Sequence, residues 1–265
     1  MDLGALDLAV AGGAAFLAGA VNAVAGGGTL ISFPALVALG VPTVNANITN
    51  TVALCPGYFG AAWSQRAALA PQRARLPWLA SVAAVGGLLG SIVLVFTSDD
   101  AFSFIVPFFI LAACALLAVQ DRLRRWLRRS HPDGTRPVGA APAPIVIRTR
   151  PPVTLMAAVF VGAVYGGFFG AGLGIMLLAI MGIVLDDSLV EINAMKSALA
   201  LVINLTAALF FVFSGKVVWS AAVVMAVTSL VGGAAGGRLA TRLKPNVLRV
   251  AVIVFGVAVA VKFWL

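Results

Sequence analysis

Long apolar runs separated by short polar ones follow each other from one end of the chain to the other. Runs of bilayer length predict membrane-spanning helices, because a hydrocarbon core takes about 20 apolar residues and offers the backbone no water to bond. The pattern places segments at 6–25, 29–40, 44–64, 77–96 and 102–120, and again at 153–171, 173–185, 190–214, 217–236 and 247–264. Segments 29–40 and 173–185 are unusually short. Each follows a glycine-rich break, the first at Gly26, Gly27, Gly28 and Thr29, the second at Gly166, Gly167, Gly170, Gly172 and Gly174. Glycine weakens a helix and opens positive φ, so the backbone is expected to unwind there. Unwound backbone at membrane depth is tolerated only inside protein or beside a water-filled cavity.

Composition agrees with this pattern. With 62% hydrophobic and 10% charged residues, the chain lies far from a soluble domain. Its net charge of +9 would suggest nucleic acid in a soluble protein. Here the arginines sit between apolar runs, as the positive-inside rule requires, so a bilayer is expected and nucleic acid is not. The N-terminus lacks the basic start and cleavage site of a signal peptide, so the first helix is expected to stay. Cys55 and Cys114 fall within apolar segments and read as packing residues.

The basic residues also set orientation. Arg66, Arg73 and Arg75 mark one cytoplasmic loop, and the eight arginines of 121–150 mark a second. Arg238, Arg242, Lys244 and Arg249 mark a third, leaving the Asp99-Asp100 turn and both termini outside. The segment from Val44 then runs inward and its counterpart from Val190 runs outward. The expected fold class is therefore an all-α polytopic membrane protein of two inverted-topology five-segment repeats, each with a Gly-broken hairpin containing a short half-helix. The domains are 1–120, a basic cytoplasmic linker at 121–150, and 151–265. Phe16 matches Phe160 at a spacing of 144, setting Gly26 and Gly28 against Gly170 and Gly172. After a two-residue insertion, Asn47 and Asn50 match Asn193 and Lys196. Interrupted segments at corresponding places in two halves are the sequence mark of a transporter binding site.

Three groups of residues are candidates for binding substrate. Glycine breaks ahead of short helices would present unpaired N–H groups and a partial positive charge, an anion site without a charged side chain. The plainer explanation is close helix packing. A polar ladder, Asn47, Asn50 and Thr51, shares one helical face and offers neutral donors; interhelical hydrogen bonding explains it equally well, and Asn45 reads as an N-cap. Asn193, Lys196 and Ser197 lie on the matching helix. Lys196 is the one basic residue placed inside an apolar segment rather than at its rim, and an intramembrane charge is a functional candidate by default. Against this, it could snorkel, or pair with Glu191 or Asp187. Asn204 is a weaker candidate of the same kind. The chain has no phosphate-binding lysine loop, no His/Cys/Glu ligand set and no GxSxG or HExxH signature, and lone His131 falls in the linker. No cofactor, metal or enzymatic activity is expected.

The run Gly19, Asn22, Gly26-Gly27-Gly28-Thr29, then Phe33-Pro34 and Asn47, Thr49, Asn50, resembles the first half of the TauE/SafE sulfite exporter family, also called the toluene sulfonate uptake permeases. The 166–174 break with Asn193, Lys196 and Ser197 resembles the second half. The resemblance implies a permease of the bacterial inner membrane, moving sulfite or organosulfonates such as sulfoacetate, as monomer or homodimer and with or without protons. Asn22 joins the site candidates on this resemblance. A channel or a non-transporting assembly partner are the rival readings.

Overall fold

The computed structural model describes residues 3–24, 27–130, 150–185, 187–239 and 245–263. Ten α-helices and no strand occur among them. The first half holds α1 (Ala5–Val24), α2 (Thr29–Ala38), α3 (Thr43–Ser64), α4 (Leu76–Phe96) and α5 (Asp99–Ser130). The second holds α6 (Val153–Phe168), α7 (Leu173–Val184), α8 (Leu189–Val212), α9 (Trp219–Leu239) and α10 (Pro245–Lys262). Four are long and apolar enough to cross a membrane, in α1, α4, α5 and α8, and α2, α6, α7 and α9 add shorter apolar stretches. The chain is a helical integral membrane protein.

Helix ends differ from expectation in two places. The basic run after Asp121, read as the start of a flexible linker, continues α5 as helix to Ser130; arginine and leucine are good helix formers, so nothing local stops it. Residues 131–149, including His131, lie outside the described residues. The N-terminus of α3 is not capped by Asn45. Asp99, at the start of α5, accepts from the Val44 N–H at 2.9 Å and from the Thr43 hydroxyl at 3.2 Å. A carboxylate so placed satisfies an orphan donor and faces the positive end of the helix dipole. Helix α8 carries a capping box, with Ser188 and Glu191 each meeting the other's backbone N–H.

Backbone contact between helices is closest at glycines. Helix α1 packs along α9, and α4 along α6. A Cβ on Gly232 of α9 would stand 2.0 Å from the Phe16 carbonyl oxygen of α1. On Gly86 of α4 it would stand 2.8 Å from the Phe160 carbonyl oxygen of α6. Phe16 and Phe160 are 144 residues apart and the two glycines 146 apart, so the same contact recurs in both halves. The larger pattern repeats too: α3 packs on α9 and α8 on α4, α2 on α10 and α7 on α5, while α3 meets α8 and α5 meets α10. Small residues let membrane helices approach in this way. Gly232→Val is therefore expected to force α1 and α9 apart. Overpacking costs about 1–3 kcal/mol or more, so thermal melting in detergent should fall, whereas Gly13→Val, with open space around it, should leave it unchanged.

Two hydrophobic clusters fill the interior. One centres on α2, α3 and α5 and draws in residues of α1, α8, α9 and α10 and of the segment between α6 and α7; the other joins α4, α6, α7 and α8. The two faces of the bundle are held by different polar contacts. On one, Asp99 binds α3 and Lys216 donates to the Val95 carbonyl at 2.7 Å. On the other, Arg75 pairs with Asp187 at 2.8 Å, and Arg249 pairs with Asp121. Helix α2 leads toward the Asp99 face and α7 toward the Arg75 face, so the two short helices run to opposite sides.

Candidate functional site

The glycines do break the helices. Between α1 and α2, Gly27 takes φ +89, and between α6 and α7 both Gly170 (φ +75) and Gly172 (φ +74) are left-handed. An L-residue resists that region, which is why these positions are glycine. The breaks meet at one level. A Cβ on Gly27 would touch Leu117 of α5 at 2.8 Å, and one on Gly172 would touch Ala113 and Leu116, one turn away on the same helix, at 3.4 and 3.5 Å. At the first break the N–H groups of Leu30, Ile31 and Ser32 turn back to the carbonyls of Gly27 and Gly28. At the second, Leu173, Ile175 and Met176 do likewise to Gly170 and Gly172, while the N–H groups of Gly172 and Gly174 find no partner among the described residues.

Side chains brace the breaks from behind. The Tyr165 hydroxyl donates to the Ala171 carbonyl at 2.5 Å, and Asn47 Nδ2 donates to the Phe168 carbonyl at 2.8 Å. The Ser32 hydroxyl donates to Asn50 Oδ1 at 2.5 Å and lies 3.3 Å from the Gly28 carbonyl oxygen. Thr51 bonds the Asn47 carbonyl within its own helix. Asn47 and Asn50 are thus buried supports of the breaks, Thr51 bonds within α3, and none of the three is on the described lining of the cavity in front of the breaks. Gly28 has ordinary helical φ and packs on α1, where a Cβ would stand 2.4 Å from the Ala18 carbonyl oxygen. Gly26 lies outside the described residues.

In front of the breaks is a cavity of about 700 Å³. It brings together Asn22, Gly27, Thr29, Gly170 and Gly172 with Asn193, Lys196 and Ser197. Leu54, Leu173, Ile175 and Leu178 give it an apolar wall. Three lining residues, Tyr58, Gln65 and Gln120, were not singled out from the sequence. Gln65 bridges α3 to α8: its Oε1 accepts from Asn193 Nδ2 at 2.5 Å and its Nε2 donates to Ser197 Oγ at 2.9 Å. Gln120 is buried, and its Oε1 has no protein partner among the described residues. A signal existed for two of them: Leu54, Tyr58, Ala61 and Gln65 continue a helical i, i+4, i+7 stripe down α3.

Lys196 is the only charged residue on the described lining. Its Cδ, Cε and Nζ lie 3.8, 3.9 and 4.0 Å from where a Cβ on Gly174 would stand, beside the first turn of α7. Near it on the Arg75 face, Asp187 binds Arg75 at 2.8 Å and Glu191 closes the capping box of α8. An ammonium at the positive end of a helix dipole raises the local potential further, and an anion lowers it. The lining extends toward the Arg75 face through Ala61, Ser64 and Gln65. Toward the Asp99 face, aromatic side chains fill the space. Phe33 meets Phe169 at 5.5 Å, Phe102 meets Phe168 at 5.5 Å, and Phe109 stacks on Phe169 at 5.7 Å.

Two short helices in an apolar bundle, their N-terminal ends converging on one cavity closed at one side, describe the architecture of a membrane transporter. The family pattern of the Sulfite exporter TauE/SafE proteins matches residues 11–263, and the chain belongs to that family. It is similar to "Probable membrane transporter protein YfcA" of Escherichia coli strain K12, 25% identical over 252 residues that cover 94% of this chain and 86% of the relative. It is also similar to "Probable membrane transporter protein ORF9" of Sinorhizobium sp, 24% identical over 94% of this chain and 89% of the relative. A "Probable membrane transporter protein" of Haemophilus influenzae is 24% identical over 99% and 96% respectively. No solved structure matches the chain. The protein is a membrane transporter of the TauE/SafE family.

Proposed function

We propose that this transporter moves small sulfur-containing anions, sulfite or organosulfonates of the sulfoacetate kind, across the bacterial cytoplasmic membrane by alternating access. The observation that carries the reading is the convergence of Lys196 on the first turn of α7 at the cavity wall. Charge, dipole and the N–H groups of Gly172 and Gly174 all favour an anion there. The family name supports sulfite and related anions as cargo. The repeated packing of the two halves supports an inverted pair that rocks about the cavity. By the positive-inside rule the Arg75 face is cytoplasmic and the Asp99 face outside, with both termini outside. The cavity then faces the cytoplasm. An inside-negative potential of 100 mV drives each negative charge outward by about 2.3 kcal/mol, which favours export.

The aromatic side chains between cavity and Asp99 face weigh against a continuous pore. Reconstituted in liposomes, the purified protein should take up or release sulfite and sulfoacetate in a saturable manner, with acetate and taurine as comparison solutes. Single-channel currents, or equal flux of all four, would sink the proposal.

A further inference from the structure

The halves pack alike, but their asparagines do not bond alike. Asn47 on α3 and Asn193 on α8 are 146 residues apart, the spacing that also relates Gly86 to Gly232 at the repeated close contacts. Asn47 Nδ2 donates at 2.8 Å to the carbonyl of Phe168, the last residue of α6, on the side filled by aromatics. The counterpart of Phe168 is Val24, 144 residues earlier and likewise the last residue of its helix, α1. Asn193 makes no bond to α1 among the described residues. Its Nδ2 donates instead to Gln65 Oε1 at 2.5 Å, on the side where the cavity runs to the Arg75 face.

From this broken symmetry we propose that Asn47 and Asn193 are alternating latches, each donating to the terminal carbonyl of the broken helix in the opposite half, one engaged at a time. The proposal rests on the alternating-access reading above. A helix that stops inside a protein leaves carbonyls without intrahelical partners, and an unmet buried carbonyl is costly. A side-chain amide can meet it with an N–H while carrying no charge. With Asn47 engaged, the α6 end is held against α3 and the Asp99 face is shut, while Gln65 keeps Asn193 off α1. In the opposite state Asn193 donates to the Val24 carbonyl, the Arg75 face closes, and Asn47 lets go of Phe168. Asn47 Oδ1 has no partner, so only the one bond through nitrogen has to break.

Thiol access to a cysteine placed at Ala200, buried on the cavity wall, tests the latches. The background carries Cys55→Ala and Cys114→Ala, and an impermeant reagent is applied to vesicles of each orientation. The parent should label from the Arg75 face. Asn47→Ala should slow that labelling by roughly threefold or more and let labelling appear from the Asp99 face. Gln65→Ala, which frees Asn193 to engage, should shift access the same way. Asn193→Ala should label from the Arg75 face at least as fast as the parent. Should Asn47→Ala fail to accumulate, the other two variants decide, because Gln65→Ala must slow labelling from the Arg75 face and Asn193→Ala must not. Unchanged labelling in Asn47→Ala and Gln65→Ala, or the same shift in all three variants, overturns the latches and leaves alternating access standing. Equal labelling of the parent from both faces would instead overturn alternating access itself, and the latches with it.

Discussion

Gly172→Val is expected to cut transport sharply while the protein still inserts and purifies. Gly172 precedes α7 at φ +74, a region that costs an L-residue roughly 1–2 kcal/mol and a β-branched one more. Its Cβ would also stand 3.4 Å from Ala113, with two methyl groups still to place. The chain can relieve this only by turning residues 170–172, which carries the first turn of α7 and the Gly174 N–H away from the cavity. Insertion depends on the apolar length of the flanking helices, which the substitution leaves alone. Anion flux per folded molecule should fall by roughly tenfold or more, equivalent to about 1.4 kcal/mol of lost stabilisation. Gly172→Ala, with the strain but one methyl, should fall between valine and the parent. Normal flux through the valine variant would mean that the α7 end takes no part in binding.

That experiment separates two roles of glycine which the sequence presents as one. Gly27, Gly28, Gly170 and Gly172 all sit in glycine-rich breaks, and breaks were legible because a run of glycines inside an apolar segment has little other use. Gly28 nevertheless has helical φ and serves close packing on Ala18, whereas Gly27, Gly170 and Gly172 are left-handed and reach the cavity. Backbone angle separates them, and one-letter patterns do not carry it. The polar ladder on α3 was ambiguous for a similar reason. A neutral side chain inside a membrane must bond something, and a broken neighbouring helix serves as well as a substrate. Asn50 meets Ser32 and Asn47 meets Phe168, in the second case 121 residues away. The cap of α3 by Asp99, 55 residues beyond Val44, is a contact of the same long-range kind. Gln65 and Gln120 escaped notice because each sits near a basic run, where a polar residue reads as loop surface. The apolar lengths of the helices were legible throughout, since hydrocarbon thickness fixes them locally.

Lys196 stands at the centre of the anion reading, and Lys196→Met is expected to weaken a divalent anion such as sulfite more than a monovalent sulfonate. Its Nζ lies beside the first turn of α7, so ammonium and helix end act on the same region of the cavity. A charge interacts more strongly across a protein cavity than in bulk water, although water in the cavity limits the gain. Hydrogen bonds to charged groups contribute about 1.5–3 kcal/mol, so direct contact implies a loss of roughly tenfold to a hundredfold in affinity. Lys196→Arg should restore the charge and only part of the affinity, because a planar fork replaces a compact ammonium. A lysine that merely snorkels predicts something else: expression and melting temperature change, and affinity per folded molecule does not. Calorimetric titration of the Lys196→Met protein with sulfite and with a monovalent sulfonate distinguishes the two. Equal, unchanged affinities would remove Lys196 from recognition and leave the helix ends at Thr29 and Leu173 as the positive elements facing the cavity. Loss confined to the divalent anion would place the ammonium within contact distance of the second negative charge.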